Sequence, residues 1–139
     1  MSRIRVLIAD DDEEVLLIIA GLLSPEFDVV GAVQDGQELV STAKVLKPDV
    51  IVADISMPEI DGFEAARLII EDNHDAKIIL LTSYDASIFV KKGFEAGILG
   101  YVLKTDADDE LARAIHDVSQ GKRFVSAKIT GIVFPDPKA

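Results

Sequence analysis

Residues 48–62 read Pro-Asp-Val-Ile-Val-Ala-Asp-Ile-Ser-Met-Pro-Glu-Ile-Asp-Gly, and the rest of the chain is organised around this stretch. Its apolar part, 50–53, is short and rich in β-branched residues, which is typical of a strand buried on both faces of a parallel sheet. The run stops at Asp54, and turn-forming residues follow at once. A carboxylate at the end of a buried strand costs free energy unless a cation or hydrogen bonds compensate it. Asp54 is therefore either a turn cap or part of a site.

The same strand-then-helix pattern repeats along the chain. Further strands are predicted at 5–9, 28–33, 77–81 and 100–103, and helices at 13–23, 37–46, 63–71, 87–96 and from an N-cap at Asp106 to about residue 120. Gly93 interrupts the fourth helix and predicts that it is the weakest. Five strands alternating with five helices predict an α/β fold, a three-layer sandwich around a five-stranded parallel sheet.

Length, charge and hydropathy narrow the class of protein. With 139 residues the chain is long enough for one domain, predicted over 1–121, with 122–139 as a C-terminal linker or tail. Fourteen basic and twenty-five acidic residues give a net charge of −11, which argues against direct nucleic-acid binding by this chain. Cysteine is absent, so disulfides and thiol catalysis are excluded. No apolar run reaches membrane-spanning length, so no membrane association and a cytoplasmic location are expected.

Reactive side chains stand where four of the five strands end. Asp10 and Asp11 follow the first strand, Asp54 the third, Thr82 the fourth and Lys104 the fifth. In open parallel sheets, ligands bind beyond the carboxyl ends of the strands, so these groups are expected to converge. Carboxylates without nearby His or Cys favour a hard cation, Mg²⁺ first. A metal, an ammonium, a hydroxyl and a carboxylate nucleophile together indicate phosphoryl transfer onto an aspartate.

Four motifs carry a family resemblance: Ile-Ala-Asp-Asp at 8–11, the segment 54–62, Leu-Leu-Thr-Ser at 80–83 and Gly-Tyr-Val-Leu-Lys at 100–104. Over about residues 4–120 the chain resembles the response-regulator receiver domains of two-component signalling. Thr105 after the lysine, where many receivers have proline, and Phe-Val-Ser at 124–126 resemble the NarL/LuxR-type subfamily. Such proteins usually continue into a helix-turn-helix DNA-binding domain. Residues 127–139 are too few for one, so the chain is either a stand-alone regulator or, as we expect, an excised receiver of a larger regulator.

The resemblance implies a flavodoxin-like sheet of strand order 2-1-3-4-5 and a set of site roles. Asp54 would accept the phosphoryl group from a sensor histidine kinase, the domain catalysing its own phosphorylation and slow dephosphorylation. Mg²⁺ would be held by Asp10, Asp11, Asp54 and the backbone carbonyl of Ser56. Lys104 would bridge to the Asp54 carboxylate or to its phosphoryl group.

The resemblance also implies a switch. Thr82 would donate a hydrogen bond to a phosphoryl oxygen, and Tyr101 would turn inward in concert. The fourth helix, the fifth strand and the fifth helix would form the output surface, and a homodimer is expected. Ser56 and Tyr84 would flank the approach of hydrolytic water and set the phosphorylated lifetime. Transcription is the process that the full-length regulator would control.

Two other interpretations stay open at this point. A haloacid-dehalogenase-type phosphatase would use Asp10 as nucleophile and Asp12 as acid–base partner, but it leaves Asp54 and the turn after it without a role. A receiver fold kept for protein binding without phosphorylation is the third interpretation, and the complete set of reactive residues argues against it. His74 and His116 are interpreted as surface or helix positions without partners. The acidic residues at 12–14 are assigned to the start of the first helix.

Overall fold

Within the part of the chain that the structure describes, six parallel strands form one sheet in the order β2-β1-β3-β4-β5-β6. The computed structural model describes residues 3–83 and 87–129. The strands are β1 (Arg5–Ala9), β2 (Asp28–Val33), β3 (Val50–Asp54), β4 (Ile78–Thr82), β5 (Gly100–Leu103) and β6 (Phe124–Val125). Since β3, β4 and β5 are buried at every position, the continuous apolar runs in the sequence mark strands covered on both faces.

Five α-helices connect the strands: α1 (Glu13–Leu23), α2 (Gly36–Leu46), α3 (Gly62–Asp72), α4 (Ser87–Ala96) and α5 (Ala107–Ser119). Three of them begin at an aspartate whose side chain accepts a backbone N–H of the first turn. Asp12 accepts from Glu14 at 2.9 Å, Asp35 from Glu38 at 2.7 Å and Asp61 from Glu64 at 2.8 Å. Such caps satisfy donors that the helix itself leaves unpaired. The acidic residues at 12–14 do serve the start of α1.

The sheet separates two apolar cores, which gives the three predicted layers. One core holds Leu7, Ile51 and Leu80 from the strands together with side chains from α2, α3 and α4. The other holds Ile8, Val52 and Leu81 together with side chains from α1 and α5. Because successive strand residues point to opposite faces, neighbours in the sequence belong to different cores.

The predicted order 2-1-3-4-5 is confirmed, and a sixth strand extends it. β6 pairs in parallel with β5, matching Phe124 to Gly100 and Val125 to Tyr101. A strand of two residues is too short to show the alternation of apolar and polar residues by which strands are predicted from sequence. The strands β3 and β4 each reach one residue beyond their predicted ends, so Asp54 and Thr82 are the last residues of their strands.

Two local predictions differ from the structure. A 3₁₀ turn, Lys104–Asp106, precedes α5, and the Asp106 side chain does not cap that helix. Asp106 lies instead 3.3 Å from the Lys128 ammonium. Contrary to the prediction that His116 has no partner, its Nε2 contacts the carboxylate of Glu26, and its ring centroid lies 5.1 Å from that of Phe27. Among the described residues, no helix combines the length and apolar character needed to cross a bilayer.

Candidate functional site

The predicted reactive groups meet at the carboxyl edge of the sheet. The strands β1, β3, β4 and β5 are neighbours, and because all are parallel, their carboxyl ends lie on the same edge. Asp54 pairs in register with Leu81, next to Thr82, and Thr82 pairs with Leu103, next to Lys104. Asp10 follows β1 directly and is fully buried, whereas Asp11 is exposed.

The Lys104 ammonium joins two of these carboxylates. Its Nζ donates to Oδ2 of Asp54 at 2.9 Å and lies 3.0 Å from Oδ2 of Asp10. Lys104 opens the 3₁₀ turn after β5, and its side chain is 26% exposed. A partly buried ammonium stays ionised only if opposite charges lie close to it. The ammonium therefore holds the ends of β1 and β3 to the end of β5.

The acidic cluster has the composition of a site for a hard divalent cation. Asp10, Asp11 and Asp54 each offer a carboxylate oxygen, and these oxygens lie within 4.8 Å of one another. Three carboxylates and one ammonium leave two negative charges uncompensated. Oδ2 of Asp10 is buried, and the Lys104 ammonium 3.0 Å away is shared between it and Asp54. An all-oxygen set with this excess of negative charge fits Mg²⁺ well.

Burial and charge act in opposite directions on the two central groups. Burial disfavours the charged form and raises the pKa of Asp54, and Lys104 only partly offsets this effect. Burial alone would lower the pKa of Lys104, but its bonds to Asp54 and Asp10 outweigh burial and raise that pKa. Both directions hold together because Asp54 is the more buried partner. Asp54 is therefore a carboxylate whose ionised form is held at a free-energy cost.

The loop after Asp54 folds back against the end of β3. The N–H of Ser56 donates to Oδ1 of Asp54 at 3.2 Å, and the N–H of Gly62 donates to the carbonyl of Ile55 at 2.7 Å. A Cβ at position 62 would overlap the carbonyl oxygen of Asp54 and lie 2.9 Å from its carbonyl carbon. Glycine is therefore required here by close backbone approach. Ser56 itself is exposed beside the carboxylates.

Thr82 and Tyr101 are both buried. Tyr101 has no exposed surface, and its ring meets that of Phe94 edge-on with centroids 5.9 Å apart. Burial raises the pKa of the Tyr101 phenol well above its ordinary value. Tyr84, predicted to flank the approach of hydrolytic water, lies outside the described residues.

Gly93, the predicted weak point of α4, is also required for the packing of Tyr101. A Cβ at position 93 would overlap the Tyr101 hydroxyl and lie 2.7 Å from Cζ of that ring. The glycine leaves the space that Tyr101 fills. A glycine inside a helical pattern is the sequence signal for this role, but it does not identify the ring that fills the space.

Ser126 and Glu110 also support the site without having been predicted. The Ser126 hydroxyl oxygen accepts the backbone N–H of Leu103 at 2.9 Å, one residue before Lys104. That hydroxyl donates to the Glu110 carboxylate on α5. A serine after a two-residue strand carries no sequence signal for such a contact.

Comparison with known proteins agrees with this geometry. Residues 6–116 match the family model described as the response regulator receiver domain. The transcriptional regulatory protein LiaR of Bacillus subtilis is 42% identical over 132 residues, covering 94% of this chain and 63% of LiaR. A two-component response regulator of the LuxR family from Aurantimonas sp. SI85-9A1 has a TM-score of 0.87 at 33% identity, covering 92% of this chain and 93% of that one.

A third similar protein was solved with a phosphoryl mimic. The isolated REC domain of RcsB from Salmonella enterica serovar Typhimurium, in the presence of the phosphomimetic BeF₃⁻, has a TM-score of 0.83 at 28% identity, covering 93% of this chain and 97% of that one. The phosphatase alternative finds no support among these proteins. The chain spans less than two thirds of the length of LiaR. From its fold, its matched residues and these relatives, the chain belongs to the response-regulator receiver family, in the NarL/LuxR-type subfamily.

Proposed function

We propose that this chain is a phosphorylation-activated switch that accepts a phosphoryl group on Asp54 from a sensor histidine kinase. The observation that carries the proposal is the meeting of Asp54 with Asp10, Asp11 and Lys104 at one edge of the sheet. In a longer regulator the switch would control transcription. The net charge of −11 disfavours direct nucleic-acid binding by this part.

In the proposed reaction, a carboxylate oxygen of Asp54 attacks phosphorus. A new bond forms between this oxygen and phosphorus, and the bond from phosphorus to the donor breaks, with its electron pair leaving on the donor atom. Asp54 must be ionised to attack, and the nearby ammonium of Lys104 favours that form. The end of a rigid, fully buried strand holds the nucleophile in place.

Charge on the transferring group is the main obstacle to this reaction. The ammonium of Lys104 lies within ion-pair distance of both buried carboxylates, where it can neutralise phosphoryl oxygens as they arrive. Asp10, Asp11, Asp54 and the backbone carbonyl of Ser56 would hold Mg²⁺. When bound, this ion would neutralise the remaining negative charge of the cluster and of the phosphoryl group.

Phosphorylation would bias an existing equilibrium of the domain. Thr82 ends the strand next to Asp54, where its hydroxyl would donate to a phosphoryl oxygen. Tyr101 and α4 would follow, since the Tyr101 ring packs against that helix. A phosphoryl group shifts the equilibrium only by the free energy of the contacts that differ between the two states. The expected readout is a homodimer built on α4, β5 and α5.

The experiment compares phosphorylation of the wild-type chain and of Asp54→Asn by acetyl phosphate. We expect phosphorylation of the wild type with Mg²⁺, none with a chelator, and none in the variant. Asp49→Asn is the matched control, because Asp49 is exposed and accepts the backbone N–H of Arg5 at the opposite end of β3. Equal phosphorylation rates in wild type and Asp54→Asn would refute the proposed role of Asp54.

A further inference from the structure

We propose that Ser126 is a positioning residue for Lys104, and that residues 124–129 form a strap that links the site to the chain beyond it. The inference rests on the proposed function, because it concerns how Lys104 is held for phosphoryl transfer. It starts from the turn that carries Lys104, which the strap contacts on both sides.

The contact before Lys104 is made by Ser126. Leu103 is the last residue of β5, and its N–H has no further strand residue to pair with because β6 ends at Val125. The hydroxyl oxygen of Ser126 accepts this N–H at 2.9 Å, and the hydroxyl proton goes to Glu110 on α5. Ser126 is 1% exposed, and its bond with the Leu103 N–H is buried. Loss of the hydroxyl would leave a buried donor without its partner.

The contact after Lys104 is made by Lys128. Its ammonium lies 3.3 Å from Oδ1 of Asp106, the last residue of the 3₁₀ turn. The other oxygen of Asp106 is buried, and no hydrogen bond reaches it from the described residues. Lys128 therefore supplies a compensating charge to a largely buried carboxylate. Residues 103 and 106, two ends of the Lys104 turn, are each held by the strap.

The rest of the strap packs against β5, the strand that contains Tyr101. The N–H of Ser126 donates to the carbonyl of Tyr101 at 2.9 Å, and Ile129 belongs to the same buried core as Tyr101. Phe124 is buried below the guanidinium of Arg113 on α5. A change in Tyr101 or Lys104 must therefore be accommodated by residues 124–129.

Thermodynamic linkage makes this coupling reciprocal. Suppose that packing of the strap against β5 favours the position of Lys104 that phosphoryl transfer needs. Phosphorylation of the site must then favour the packed conformation of the strap by the same factor. The strap leads directly into residue 130 and onward. It is thus a physical connection by which the state of Asp54 reaches the C-terminal residues 130–139.

The test measures acetyl phosphate-dependent phosphorylation and Mg²⁺ affinity in Ser126→Ala, Ser126→Thr and the wild type. Ser41→Ala is the matched control, because its hydroxyl donates to the Glu38 carbonyl at 3.1 Å at an exposed position of α2. Misplacing a catalytic group slows a reaction steeply, so we expect Ser126→Ala to lower the maximal phosphorylation rate about fivefold. Its Mg²⁺ affinity should stay at the wild-type value, and Ser126→Thr, which keeps the hydroxyl, should recover most of the rate.

A second variant, at the exposed Lys128, tests the strap without replacing a buried residue. Lys128 is 74% exposed, so Lys128→Ala removes the contact with Asp106 without opening the core, and we expect a smaller loss of rate. Wild-type rates in both Ser126→Ala and Lys128→Ala would overturn the inference and leave the proposed function intact. A parallel loss of rate and Mg²⁺ affinity in Ser126→Ala would also overturn it, because the serine would then be only structural. Absence of phosphorylation in the wild type would instead overturn the proposed function, and the inference with it.

Discussion

Replacing Gly93 by alanine should drive Tyr101 out of its buried position. A Cβ at position 93 would overlap the Tyr101 hydroxyl and lie 2.7 Å from Cζ, closer than real Cβ atoms approach another atom. The obstacle is the far end of a side chain, so the ring can rotate away without movement of the backbone. Tyr101 has no exposed surface, and exposing a fully buried large side chain costs about 1.5–3 kcal/mol.

Two opposing effects set the expected stability of this variant. Alanine is favoured over glycine in a helix interior by about 1 kcal/mol, which partly offsets the loss of Tyr101 burial. The net change is a decrease of about 0.5–2 kcal/mol in the free energy of unfolding. Gly21→Ala in α1 is the matched control, because a Cβ there meets no atom within 4 Å. That control should raise the free energy of unfolding by about 0.5–1 kcal/mol.

Titration of Tyr101 separates rotation of the ring from general loosening. The chain has two tyrosines, so Tyr84→Phe is the background for both variants. Burial raises the pKa of Tyr101, and we expect Gly93→Ala to return it to about 10, the ordinary value of an exposed phenol. Absorbance of the phenolate against pH gives this value, and urea unfolding gives the stability. A Gly93→Ala variant that is stabilised like Gly21→Ala, with the Tyr101 pKa still high, would refute the steric reasoning.

Two further predictions concern Asp54 and Tyr84. Burial raises the folded-state pKa of Asp54, so its ionisation destabilises the fold as the pH rises through that value. Without Mg²⁺, Asp54→Asn should therefore be more stable than wild type at neutral pH, and this difference should vanish at pH values below the ordinary range of carboxyl pKa values. Urea unfolding at several pH values measures the difference. A stability advantage of the variant that grows in acid would contradict the prediction. Tyr84→Ala should shorten the phosphorylated lifetime several-fold, on the order of 1 kcal/mol of barrier, and equal rates of phosphate release would assign Tyr84 to packing alone.

The sequence determined the main architecture because its signals are local and strong. Buried parallel strands appear as continuous apolar runs, and the acidic residues at 12–14 mark the start of α1. The ends of those runs also gave the positions of Asp10, Asp54, Thr82 and Lys104, since parallel strands end on a common edge.

What the sequence did not show depends on contacts between distant residues. The hydroxyl of Ser126 meets Leu103 across 23 positions, and Gly93 is explained only by the ring of Tyr101. The Asp106 side chain pairs with Lys128, 22 positions further along the chain, instead of capping α5. Neither composition nor periodicity encodes such pairings.

The most direct test of the central claim is to locate the phosphoryl group within the chain. The protein is incubated with acetyl phosphate and Mg²⁺, its mass is measured intact, and the modified position is then mapped by fragmentation. We predict one phosphoryl group per chain, carried by Asp54, and no modification when Mg²⁺ is chelated. A phosphoryl group on Asp10, or an unmodified chain in the presence of Mg²⁺, would contradict the assignment of Asp54 as the acceptor.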